Sequence, residues 1–178
     1  MFRRSGANSN NVLRNNPAME WTVTPIGIVS ASRAHPEDDN WGAEESSIVL
    51  ADGLPDEALD GIDTFSHVEI LFVLHDAAAA QIVTGARHPR NNVAWPKVGI
   101  FAQRGKNRPN RIGSTICRVV RRDARRLDVA ELDAIDGTPV LDIKPVMQEF
   151  LPREPVSQPQ WSHELMAAYW QRRHPTNR

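Results

Sequence analysis

Two stretches carry side chains whose types and spacing could do chemistry. The first, KVGIFAQRGKNRPNRIGST over residues 97–115, puts Arg104, Lys106, Arg108 and Arg111 within eight positions. Pro109 fixes its own φ and biases Arg108 towards extended backbone, while Asn110 suits a turn. A rigid cationic loop between two strands can hold an anionic or electron-rich ligand, or it can face water as a solvated basic hairpin. The second stretch, DGTPVLDIKP over residues 136–145, opens in an Asp-Gly turn and ends with Asp142 and Lys144 flanking Ile143. Such a pair is either a structural ion pair or part of a site.

The elements that must position these residues read mostly as strands. Val98, Ile100 and Ala102 alternate with Gly99, Phe101 and Gln103, which predicts a strand running from Lys97 into the basic loop, and a second strand covers Ser114 to Val120. Further strands are expected from Trp21 to Val29, Ser47 to Leu50, Val68 to His75 and Leu127 to Leu132, with a helical turn from Pro55 to Leu59. One helix is expected from Ser162 to Arg172, with Ser162 as N-cap and Leu165, Met166, Tyr169 and Trp170 on one apolar face. Many short strands and a single helix predict an all-β, barrel-like fold. No glycine-rich turn joins a strand to a helix, as a Rossmann-type cofactor fold requires. Residues 1–20, rich in Asn, Ser and Arg, read as a flexible arm, with Met19 a possible start of the natural chain; 21–150 read as the barrel domain and 151–178 as an extension carrying the helix.

Composition narrows the classes. Across 178 residues, 21 basic and 22 acidic side chains leave a net charge of −1, so the whole chain is not drawn to nucleic acid by charge. A local cluster, Arg118, Arg121, Arg122, Arg125 and Arg126, is either a nucleic-acid patch or a charged, solvated strand edge. The single cysteine, Cys117, excludes an internal disulfide, and without clustered Cys or His no metal site is expected. No long apolar run marks a membrane span and no signal-peptide core opens the chain, so a cytoplasmic protein is the default expectation.

Four motifs in order carry a resemblance. Pro25-Ile26-Gly27 comes first, then Phe65-Ser66-His67 leading to Phe72-Val73-Leu74-His75. Phe101-Ala102-Gln103-Arg104 follows with Arg108-Pro109-Asn110 and Ile112-Gly113, and last comes the stretch from Asp136 to Pro145. Over roughly residues 22–147 the chain resembles the TsaA-like (TrmO-like) family. The resemblance implies a small β-barrel that binds S-adenosyl-L-methionine, works as a homodimer and methylates N6 of threonylcarbamoyladenosine beside the tRNA anticodon. It also implies roles. Asn40, Trp41 and Gly42 stand where the family has a Pro-Arg-Gln element against the cofactor; Trp41 either covers a bound adenosine or caps the core. His75, Asp76 and Ser114 line the cofactor site, Arg104 grips the cofactor carboxylate, and the backbone of Ala130, Glu131, Leu132 and Asp133 meets the adenine. Arg108, Asn110 and Arg111 touch substrate, and Asp142 orients or accepts the N6 proton with Lys144 holding it ionised. Gly105, Arg111, Thr115 and Val146 depart from the family pattern, where Ser, Pro, Ser and Tyr stand. A small-molecule methyltransferase and a non-catalytic module binding the cofactor or RNA are therefore alternatives.

Overall fold

The alternating stretches close on themselves. In a computed structural model describing residues 20–172, six antiparallel strands form a closed barrel. They are β1 (Gly27–Ala31), β2 (Glu45–Leu50), β3 (His67–Val73), β6 (Ile112–Asp123), β7 (Arg126–Ala130) and β8 (Pro139–Pro145), in the order β1-β2-β7-β6-β3-β8. A separate two-stranded ladder pairs β4 (Ala86–Arg87) with β5 (Val98–Gly99), and one helix, α1 (Gln160–Met166), follows the barrel. The all-β expectation, with a small barrel and a minor C-terminal helix, is borne out. The expected arm over residues 1–20 lies, Glu20 apart, outside the described residues, as does the end of the expected extension.

Period-two patterning sets the core. Along β3, Val68, Ile70 and Phe72 point inward and are buried. They share one core with Val29, Ile48, Cys117, Leu127, Val129 and Val140 from the other strands and with Leu132 just after β7. The Asp136-Gly137 turn is a barrel fastener: Asp136 Oδ1 accepts from the Ala31 amide at 3.0 Å, and the Gly137 amide donates to Val29 O at 2.9 Å. Gly137 sits at φ 75°, a left-handed conformation that side chains resist.

Three expectations are corrected. The strand expected through Gln103 stops after Gly99, and Ile100–Ala102 forms a 3-10 turn that leaves Phe101 77% exposed. Among the described residues its ladder partner is the two-residue β4, and the Gln103 side-chain amide donates to the Val98 and Arg87 carbonyls at 2.9 and 3.1 Å, folding the chain back. The first strand begins at Gly27 rather than Trp21, because Pro25 has no amide to give a ladder. The helix starts at Gln160 with Pro159 as N-cap; the Ser162 hydroxyl lies inside it and donates back to Pro159 O at 2.7 Å.

Candidate functional site

A cleft of about 1480 Å³ opens where the end of β3 meets the start of β6. Its walls are the basic loop, the turn before β8, the loop after β1 and the segment around α1. Usual small-molecule pockets hold roughly 300–1,000 Å³, so this one has room for a cofactor and part of a larger second ligand.

The basic loop hangs on the end of β3. The Leu74 amide donates to Arg111 O at 2.7 Å, and the Val83 amide to Asn107 O at 2.9 Å. Arg111 sits at φ 50°, strained for a side-chain-bearing residue, and its guanidinium donates to Ala77 O at 3.3 Å. It thus braces the loop, while Arg108 and Asn110 line the cleft. Arg104 donates to the Ser114 carbonyl, and the Ser114 hydroxyl donates to Glu69 Oε1 at 2.5 Å. Arg104, Ser114 and Glu69 therefore stand together on one wall, with His75 and Asp76 exposed beyond the end of β3.

The opposite wall rests on a buried arginine. Arg33, 4% exposed, binds Glu44 Oε1 at 3.0 Å, the Asp39 carbonyl at 3.2 Å and the Asn40 carbonyl. Its guanidinium lies 4.1 Å over the Trp41 ring, a cation–π contact out of water. Trp41 is buried, donates from Nε1 to Glu37 O at 3.2 Å and lines the cleft, so it seals the core and walls the site at once. Asn40 and Gly42 do not line the cleft; their amides donate to Ala168 O at 3.1 Å and Gln171 O at 3.2 Å, as the Trp41 amide does to Tyr169 O at 2.7 Å.

Of the four residues from Ala130 to Asp133, only Asp133 reaches the cleft. Ala130 is locked between Glu45 and Arg118, the Glu131 amide donates to Glu44 O at 2.8 Å, and Leu132 is in the core. The Asp133 carboxylate accepts from both the Thr115 and the Tyr169 hydroxyl, one on each oxygen. Burial, and then the Asp133 charge, push the Tyr169 phenol well above its ordinary range, so it stays a donor. Burial likewise pushes up the Cys117 thiol, which is inert in the barrel core.

Asp142 and Lys144 lie on the outer face of β8, opposite Leu71 and Glu69 of β3, and pair with each other. That bond and the Asp142 charge raise the Lys144 ammonium. Neither lines the cleft; Glu69, which does, stands between Lys144 and Ser114. In the second arginine cluster, Arg118 stays exposed on β6, while the other four side chains are bonded within the chain. Arg121 and Arg126 bind Asp128 at 2.9 and 2.6 Å, Arg122 binds Asp60 at 2.7 Å, and Arg125 takes the Leu50 and Ala51 carbonyls at 3.2 and 2.5 Å. Among the described residues, no group of three or more His, Cys, Asp or Glu side chains could hold a metal ion. Sequence reasoning missed Arg33, Glu69 and Thr115 as site residues and read Tyr169 only as part of an apolar helix face. Its one available signal was a hydroxyl on that face.

The family model for the tRNA-methyltransferase O N-terminal domain matches residues 29–150. The tRNA (adenine(37)-N6)-methyltransferase of Mus musculus is 37% identical over 113 residues, which cover 64% of this chain but 26% of the mouse protein. This chain thus spans about a quarter of that relative's length. A probable S-adenosyl-L-methionine-binding protein of Methanothermobacter thermautotrophicus is 35% identical over 135 residues, covering 74% of this chain and 93% of that one. A crystal structure of TrmO from P. aeruginosa superposes with a TM-score of 0.67 at 27% identity, covering 83% of this chain and 64% of that one. The basic loop, the fastening turn and all of the barrel but the first two residues of β1 fall inside the matched stretch, and the chain belongs to the tRNA-methyltransferase O N-terminal domain family.

Proposed function

We propose that the chain is an S-adenosyl-L-methionine-dependent methyltransferase acting on N6 of a modified adenosine beside the tRNA anticodon, in the cytoplasm and as a homodimer. In this reading residues 21–150 are the catalytic barrel and the following segment its extension. One observation carries it. In a chain of this family, Trp41, His75, Arg104, Arg108, Ser114 and Asp133, from separate stretches of sequence, surround a single cleft large enough for a cofactor and a nucleotide.

When bound, the cofactor supplies a methyl group on a cationic sulfur. Arg104 would take its methionine carboxylate through the guanidinium fork, and Trp41 and Asp133 would flank its adenosine at the opposite wall. His75 and Asp76 stand at the mouth, while Ser114 fixes both Arg104 and Glu69. Asn40, Gly42, Ala130, Glu131 and Leu132 act by placing Trp41 and Asp133. Arg108 and Asn110 would meet the RNA, with Arg111 bracing their loop. The N6 lone pair is delocalised into the ring, so the protein's main contribution is to hold N6 in line with the methyl–sulfur bond. As the nitrogen–carbon bond forms, N6 loses a proton. Glu69, one of the cleft carboxylates and held by Ser114 beside Arg104, would receive it, with the Asp142–Lys144 pair across the sheet setting the charge around it.

Calorimetry with chelator-treated protein and S-adenosyl-L-methionine is the first test; no binding at millimolar cofactor removes the methyltransferase reading. The second is mass analysis of tRNA nucleosides from a deletion strain. Loss of one N6-methylated adenosine is expected. An unchanged nucleoside profile beside intact cofactor binding would assign the cleft to another substrate.

A further inference from the structure

The segment Gln158–Gln171 begins beyond the last residue of the family match, yet it roofs the cleft. An exposed, proline-rich stretch over residues 151–157 leads to it from the barrel. It is fastened at three separate places. The amides of Asn40, Trp41 and Gly42 all donate to its carbonyls, at 3.1, 2.7 and 3.2 Å. The Tyr169 hydroxyl donates to Asp133 on the cleft floor. Trp95 Nε1 donates to Glu164 Oε2 at 2.8 Å from the far side. Trp161, Leu165 and Met166 present apolar surface to the cleft between these anchors. Gly42 is specific to this docking, since a Cβ there would overlap the Trp170 carbonyl and no smaller side chain exists.

We propose that this segment is a cap, built into the same chain, over the cofactor cleft, and that Tyr169 is its positioning residue, orienting the Asp133 carboxylate towards the bound adenosine. The inference rests on the methyltransferase reading of the cleft. A short segment held by a few hydrogen bonds at the end of an exposed tether opens far more readily than barrel strands do. Such an element closes on a ligand, excludes water and sets the rate at which the ligand leaves. The anchors divide the labour. The strip over residues 40–42 holds the cap shut, and Tyr169 couples closure to Asp133, whose other oxygen is already held by Thr115.

The full chain carrying Gly42→Ala or Tyr169→Phe tests this, with S-adenosyl-L-methionine and S-adenosylhomocysteine as probes. Gly42→Ala is expected to expose the amides of residues 40–42 to hydrogen exchange and to speed dissociation of both probes by about tenfold or more. Tyr169→Phe keeps the ring and the docking strip, so those amides stay protected, but affinity falls by about tenfold because Asp133 is no longer oriented towards the ligand. Thermal unfolding of the barrel is unchanged in Tyr169→Phe, which separates positioning from a merely structural role. Retained protection in Gly42→Ala overturns the docking. Dissociation within about twofold of the unaltered chain in both variants, with the 40–42 amides exposed in Gly42→Ala, overturns the cap alone. An unaltered chain that binds neither probe overturns the methyltransferase reading and the cap with it.

Discussion

At the scale of single residues, geometry decides more than charge. Arg104 stands where the 3-10 turn gives way to the basic loop, tied to the Ser114 carbonyl and close enough to Tyr169 for its charge to act on the phenol. If its fork holds the cofactor carboxylate, Arg104→Lys keeps the charge and loses one of two parallel bonds. A charge-assisted bond contributes about 1.5–3 kcal/mol, so calorimetry should show cofactor affinity roughly ten- to hundredfold weaker. Equal affinity would show that the loop holds something else. Asp128 gives a prediction of a different kind. Burial raises its carboxyl, but bonds from Ser47, Arg126 and Arg121 outweigh burial and hold it down to about 2, from an ordinary 3.8. A depressed folded-state pKa adds stability above the unfolded value, and that gain is lost as pH falls from about 4 towards 2. Both arginine partners are more than half exposed, which limits the gain to about 1–2 kcal/mol. Asp128→Asn should therefore melt earlier at pH 7 and converge on the unaltered chain only as pH falls to about 2; a constant gap from about pH 4 to 2 would place the loss elsewhere. That Arg104 stands at the cleft was legible in the sequence, because a local run of cations and turn formers marks the loop that lines it. Tyr169 was not, since its hydroxyl meets a carboxylate 36 positions away and nothing near it in the chain announces the meeting.

At the scale of elements, two arginine-rich hairpins that look alike in sequence differ in the fold. The β6–β7 hairpin faces its own acids. Arg121 and Arg126 share Asp128, Arg122 meets Asp60, and Arg125 is spread over two carbonyls and Asp52. The basic loop before β6 keeps Lys106 and Arg108 at the cleft instead. Removing a cation that contacts phosphate lowers the slope of log affinity against log salt by about one, whereas removing one spent on an internal ion pair does not. Filter binding to tRNA over a salt series should show the lower slope for Arg108→Ala and an unchanged slope for Arg121→Ala. The reverse pattern would move the RNA surface to the β6–β7 hairpin. The same contrast marks where sequence stopped being informative. Strands whose alternation faces a continuous partner, β3 and β6, were legible to within three residues at each end. The alternation from Val98 to Gln103 was equally good, yet among the described residues the partner there is two residues long, so side-chain bonds from Gln103 won. Helix α1 shows the same limit, because a proline at position 159 outranked a serine as its starting point.

At the scale of the whole molecule, the closed barrel satisfies its own edges, so association has to use a face. Closure leaves no unpaired barrel strand among the described residues for a two-fold partner to cover. One outer face is poorly suited to water. On β6, Ile112, Ile116 and Val120 point away from the core and are 40%, 48% and 40% exposed, and Leu71 of β3 lies beside them opposite Ser114. Outward positions of a solvated antiparallel strand are normally polar; here Ile112, Ile116 and Val120 alternate with Ser114 and Arg118, a mixed face that fits an isologous contact in which each copy buries the other's isoleucines. Ile112 and Ile116 also border the cleft, so a partner seated on them would stand beside the proposed cofactor site. Light scattering at micromolar concentration should give twice the 19.9 kDa chain mass, and Ile116→Asp, which buries a charge in that contact, should give the single-chain mass with the barrel still folded by circular dichroism. A single-chain mass for the unaltered protein would sink the dimer. A dimer that survives Ile116→Asp would move the contact to a different face and leave the isoleucines as part of the cleft wall alone.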